Sequence, residues 1–122
     1  MPFPFEQLTV YQYALAWVEA VETLCRTLKG KVSYPFLDQL SRAALSIPLN
    51  IAEGNGRWHM ADKRQFFWIA RGSIFECVPL IQLFHRKKLI SDNSYQTYYA
   101  QLDTMAKMTT RLIQSLKQMS EK

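Results

Sequence analysis

A chain of 122 residues amounts to one domain, long enough to bury roughly two-thirds of its unfolded surface in a single core. Its 48% hydrophobic and 20% charged residues exclude a disordered chain, and four glycines with five prolines are too few for an all-β protein rich in tight turns. The net charge of +5 is lopsided: residues 1–60 carry five basic and five acidic groups, residues 61–122 ten and five, an excess suited to nucleic acid, to an acidic protein or simply to solubility.

No linker or low-complexity segment divides residues 1–122, and four helices can be read in chain order from heptad spacing. In the first, Thr9 with Gln12 predicts a capping box, the buried stripe runs Val10, Ala14, Trp17, Val21, Leu24, Leu28, and Gly30 is the stop. The second opens at "SYP", with Pro35 in its first turn, and its stripe is Leu40, Ala44, Ile47, Ile51. The third opens at Asp62, paired with Gln65 as a weaker cap, on a seam of Phe67, Ala70, Ile74, Cys77, Ile81, Phe84. The fourth follows "SDNS" and runs Tyr98, Leu102, Met105, Thr109, Leu112, Leu116, Met119. The pattern predicts an all-α, antiparallel up-down four-helix bundle. Phe66, Trp68, Ile69, Leu80 and Leu83, with Tyr11, Leu15 and Val18, lie outside the main stripes. Monomers rarely expose such a surplus, which predicts a homo-oligomer.

The stretch "RAALSIPLNIAEGNGR", residues 42–57, is the most unusual. Pro48 frees the carbonyl of Ala44, at a cost inside a helix of ~3 kcal/mol. The apolar stripe keeps its phase across Pro48, which predicts one continuous, kinked helix. Arg42, Ser46, Asn50, Glu53 and Arg57 form a polar stripe along it. This stripe either fixes the pairing with the third helix or lines a ligand or nucleic-acid groove, and the structural reading is preferred. An antiparallel hairpin turning at 57–58 places Arg42 near Ser73 and Glu76, where Arg42 and Glu76 would pair, and Asn50 near Gln65. "GNGR" follows a helix where a phosphate loop precedes one, so Gly54 or Gly56 is read as a left-handed terminator.

These residues carry a resemblance. Arg42, Ala43, Ser46, Ile47, Pro48, Asn50, Ile51, Ala52, Glu53, Gly54 and Arg57, then Phe66, Ala70, Gly72, Ser73 and Glu76, resemble the hallmark of the bacterial four-helix-bundle proteins of the 23S rRNA intervening-sequence family. The opening "LTVY" departs from that pattern, with Tyr11 where members commonly have Trp, and the first linker is short. The resemblance implies a cytoplasmic bundle that assembles into a ring, a pentamer. It also implies kinship with accessory proteins of diversity-generating retroelements, basic rings held to engage a reverse transcriptase and nucleic acid. It implies no enzymatic activity.

Other chemistry finds little support in the residues. A di-iron bundle needs Glu-x-x-His pairs, which this chain lacks; His59 falls in a turn and His85 heads "HRKK" at a helix end. Cys25 and Cys77 have no CxxC or zinc spacing and fall on or beside apolar stripes, as expected of core thiols in a reducing cytoplasm. Neither a signal peptide nor a membrane span is read from the sequence, and no metal, cofactor or catalytic residue is expected. The basic candidates for a nucleic-acid surface are Arg57, Lys63, Arg64, Arg71, Arg86, Lys87, Lys88, Lys107 and Arg111. Trp58 is either a stacking group or a hydrophobic cap on the bundle end. Two functions follow: a sequence-tolerant nucleic-acid-binding accessory protein, or a structural adaptor for a protein partner.

Overall fold

The computed structural model describes residues 2–120. A 3-10 turn, Pro4–Gln7, leads into α1 (Thr9–Leu28), α2 (Tyr34–Asn55), α3 (Met60–Arg86) and α4 (Asp92–Ser120). The described residues hold no strand, and the four helices form a bundle around one core. Packing is closest between α2 and α3, then α3 and α4, then α1 and α2, and it is sparser between α1 and α4. Helices adjacent in sequence are therefore adjacent in space.

The stripes read from α1 and α3 are buried without exception, Val10 through Leu28 and Phe67 through Phe84. Leu40, Ala44, Ile47 and Ile51 of α2 are buried as well, joined by Leu37, Ala43 and Pro48. Trp17 anchors the centre, its ring 5.8 Å from that of Tyr98 in an edge-on contact. The fourth stripe drifts. Leu102, Met105, Thr109 and Leu116 are buried, but Ile113 takes the place expected for Leu112, and Met119 is exposed. A strict seven-residue repeat slips by ~20° per heptad against a straight helix, so over α4 the inward position moves on by one residue. Thr109 is accommodated in the core because its hydroxyl donates to the carbonyls of Met105 and Ala106, each 3.0 Å away.

Several helix ends differ from their prediction. Thr9 does not cap α1; the N-cap is Leu8, with no side-chain bond. Gln12 donates instead to the Glu6 carbonyl at 3.3 Å, because the 3-10 turn brings that acceptor within reach. Helix α3 starts at Met60, two residues before Asp62, and Gln65 forms no cap with it. Asp62 sits in the first turn, where its charge complements the helix dipole. Ser91 does cap α4: its Oγ accepts from the Ser94 N–H at 3.1 Å. Gly30, with φ of +83°, follows α1 as expected.

Gly54 and Gly56 are not left-handed. Gly54 lies inside α2 and Gly56 has φ −78°, so the helix ends in right-handed backbone. Gly54 answers a different need: a Cβ built there would meet Phe66 Cβ at 2.8 Å and Phe67 Cε1 at 2.9 Å. Its absent side chain lets the start of α3 pack directly on the end of α2. Pro48 is buried within continuous α2, and α3 carries a second internal proline, Pro79, on its exposed side.

Helix α3 is long and apolar enough to cross a membrane by length and composition, with mean hydropathy 1.3 over 18 residues. Its seam from Phe67 to Phe84 is packed against the other helices, as in the core helix of a bundle. Of the surplus apolar residues, Leu80 is absorbed by the core and Tyr11 and Val18 pack at its edge. Trp68, Ile69 and Leu83 remain exposed, together with Leu45, Leu49 and Phe75.

Candidate functional site

Of the polar stripe of α2, Ser46 hydrogen-bonds to α3, while Arg42, Asn50 and the Glu53–Arg57 pair bond within α2. Ser73 Oγ on α3 donates to Ser46 Oγ at 2.8 Å, with the Ile69 carbonyl as alternative acceptor at 3.1 Å. Asn50 Nδ2 donates to both the carbonyl and the Oγ of Ser46, at 2.8 and 2.9 Å. Asn50 therefore satisfies its own helix, and no bond joins it to Gln65. Arg42 does not pair with Glu76. Its Nε donates to Asp38 Oδ2 at 2.8 Å, one turn back on α2, while Glu76 accepts from Gln39 Nε2 at 3.3 Å. The expected hairpin register was off by a turn, since Ser73 faces Ser46 and not Arg42. Glu53 pairs with Arg57 at 2.6 Å. Gly72 lies on the surface of α3, where a Cβ would touch nothing.

The basic candidates separate into three places. Arg57 and Lys63 serve the α2–α3 turn: the Arg57 guanidinium lies 4.6 Å from the Phe66 ring centre, and Lys63 Nζ donates to the Asn55 carbonyl at 2.6 Å. Arg64, half-buried, belongs to the same end. Arg86, Lys87 and Lys88 lie at the other end of α3, about 33 Å from Arg64 at 1.5 Å per residue. There Lys87 Nζ sits 5.5 Å from the Phe36 ring centre, and Lys88 takes a left-handed φ of 59° in the turn. The turn is clasped by His85, whose Nε2 lies 2.6 Å from Asp92 Oδ1 and whose ring stacks on Tyr95.

The third place is a cleft of about 360 Å³ between α3 and α4. Arg71, Lys107 and Arg111 line it, with Phe75, Asp103 and Thr110. Here one basic candidate of α3, Arg71, meets two of α4, Lys107 and Arg111, across the helix boundary. Thr110 Oγ1 holds Arg71 by accepting from Nε at 2.9 Å. Lys107 pairs with Asp103 at 2.9 Å, both side chains exposed. Arg111 forms no ion pair among the described residues. Such a group of cations, held on two rigid helices and open to water, suits an anion and performs no evident acid–base chemistry.

The thiols offer none either. Burial pushes the Cys77 thiol up to about 12; the Glu76 charge adds to this, and the Trp17 indole N–H opposes it. That N–H is fully buried and finds no conventional acceptor. Cys25 Sγ lies 3.5 Å from Ser41 Oγ, in an apolar groove between α1 and α2 of about 610 Å³. Among the described residues, no cluster of three or more His, Cys, Asp or Glu could hold a metal ion.

Comparison with known families supplies the broader setting. The model of the 23S rRNA-intervening sequence protein family matches residues 6–111. The chain belongs to that family. The chain also resembles a crystal structure of a protein with unknown function from the S23 ribosomal protein family of Bacteroides thetaiotaomicron. The likeness has a TM-score of 0.80 at 21% identity, covering 86% of this chain and 95% of that one, and it concerns the fold. No curated protein matches. Neither the family nor this neighbour brings a catalytic assignment.

Two aromatic residues that the sequence does not mark as site residues adjoin Arg71: Phe75, which lines the cleft, and Trp68, which meets it through Arg71. Trp68 and Phe75 flank Arg71 at one-turn spacing, and its guanidinium carbon lies 5.3 and 4.3 Å from their ring centres. The sequence pattern places Trp68 in the apolar surplus that predicts a subunit contact and gives Phe75 no role. The i−3, i+4 placement of two aromatics about an arginine was the available signal.

Proposed function

We propose that this protein is a non-catalytic, sequence-tolerant nucleic-acid-binding accessory factor that works as a homo-oligomer. The convergence of Arg71, Lys107 and Arg111 on one cleft supports the binding reading. Phosphates need cations on a stable scaffold and no base-reading motif, and a protomer of net charge +5 supplies a general attraction. Exposed Leu45, Leu49 and Ile69 support self-association. A ring would set the cleft of every protomer on one assembly, so that weak contacts act together. The family resemblance suggests a pentamer, a cytoplasmic setting and a reverse transcriptase as protein partner. The same apolar residues also favour the second reading, an adaptor for a protein partner with no nucleic-acid role.

Filter binding to RNA and DNA at two salt concentrations separates the readings. The parent should bind at low salt and lose affinity steeply as salt rises, because each neutralised phosphate releases a counterion. Lys107→Gln with Arg111→Gln should reduce the salt slope by about two per bound protomer. Both side chains are exposed, so the bundle should stay folded. Absence of binding by the parent at low salt would leave the adaptor reading.

A further inference from the structure

We infer that the cleft between α3 and α4 takes single-stranded nucleic acid in preference to duplex, with Trp68 and Phe75 as the platform on which unpaired bases stack. The inference rests on the nucleic-acid reading above and adds what neither the charges nor the family supplies. Trp68 and Phe75 are each 50% exposed, although both belong to a helix whose core seam from Phe67 to Phe84 is fully buried. They lie three residues before and four after Arg71, on one face of α3. The Arg71 guanidinium lies over both rings and is tethered through Nε to Thr110. Its terminal amino groups make no hydrogen bond among the described residues. The two rings thus share one tethered cation while about half of each residue remains open to solvent.

Cations and exposed rings in one place match both parts of an unpaired nucleotide. Arg71, Lys107 and Arg111 face the phosphates, and the rings face the bases. The cleft also holds a carboxylate, Asp103, engaged with Lys107. That pair is exposed and weak, so a phosphate competes for the ammonium on favourable terms. A duplex presents only phosphates to such a surface, since its bases are stacked on each other and its edges lie in grooves. A single strand offers the free π-faces as well, and any base can use them, which agrees with the absence of a base-reading motif. Charge complementarity therefore admits nucleic acid, and the aromatic pair selects the unpaired form.

The test uses the full chain with Trp58→Phe, which leaves Trp68 as the exposed indole and Trp17 as a buried, constant background. The probes are an oligothymidylate of about 15 nucleotides, within the site size of common single-strand binders, and a mixed-sequence duplex of the same length. At one salt concentration the single strand should bind at least tenfold tighter than the duplex and quench Trp68 fluorescence. Trp68→Ala and Phe75→Ala should each lose about tenfold or more on the single strand, with duplex affinity and salt slope retained. Trp68→Tyr, which keeps a stacking ring, should recover most of the loss. Equal or tighter binding of duplex, or full single-strand affinity in Trp68→Ala, overturns the inference and leaves the proposed function standing. Failure of both probes to bind at low salt overturns both. A fall in assembly mass by light scattering in Trp68→Ala would make the aromatics a contact between copies, and overturns the inference by that route.

Discussion

At the scale of single residues, the two glycines of the family hallmark make opposite predictions. Gly54→Ala forces a Cβ to within 2.8 Å of Phe66 Cβ, an atom fixed to the backbone of α3 that cannot swing away. Overpacking of this kind typically costs about 1–3 kcal/mol, which urea denaturation should register as a lower midpoint. Gly72→Ala meets nothing, so in the protomer it should stabilise α3 by up to about 1 kcal/mol through helix propensity alone. A loss at Gly72 would instead place another chain against that surface. The cysteines also divide. With its thiol held at about 12 and its side chain enclosed, Cys77 stays protonated and inaccessible. Thiol titration at pH 8 should find one reactive group, Cys25, in the folded protein and two after denaturation. The Cys77 shift also sets an alkaline limit. Its folded pKa is raised from 9.0, so the stability it confers is complete below pH 9 and disappears as pH climbs toward 12.

At the scale of elements, α2 and α3 are joined by the Ser73–Ser46 hydroxyl contact where an Arg42–Glu76 salt bridge was expected. Ser46→Ala should cost about 1 kcal/mol, since Ser73 and Asn50 each lose one bond but keep a carbonyl acceptor. Arg42→Ala should change stability by less than about 0.5 kcal/mol, because the Arg42–Asp38 pair is largely exposed. A double-mutant cycle between Arg42 and Glu76 should show no coupling beyond about 0.5 kcal/mol. The expectation of an Arg42–Glu76 pair failed for a simple reason. A carboxylate four residues away on the same helix is reached without any constraint on helix packing, whereas a cross-helix partner requires the hairpin register to be known to within a turn. Apolar seams were legible because burial follows the helical period directly, and Val10–Leu28 and Phe67–Phe84 needed nothing else. Caps were less so: Gln12 found a carbonyl in a 3-10 turn that no periodicity announces. The cleft was only half legible. Its cations could be listed from sequence, but their meeting depends on which turn of α4 lies beside Arg71, and that is decided by packing.

At the scale of the whole molecule, the exposed apolar residues of α2 and α3 carry a prediction about assembly. Light scattering at micromolar concentration should give a mass several times 14.3 kDa, and a clean monomer would remove the homo-oligomer from the proposed function. A second consequence comes from the order of packing, in which each helix rests mainly on its neighbour in sequence and α1 meets α4 only sparsely. Chain segments that touch in the native state are mostly close along the polypeptide, so little loop-closure entropy separates them during folding. The main refolding phase of the protomer should therefore be complete within milliseconds or faster by stopped-flow tryptophan fluorescence. The α2–α3 hairpin can form before α4 has left the ribosome. Under the proposed self-association, assembly would be the slower, bimolecular step, and its rate alone should depend on protein concentration.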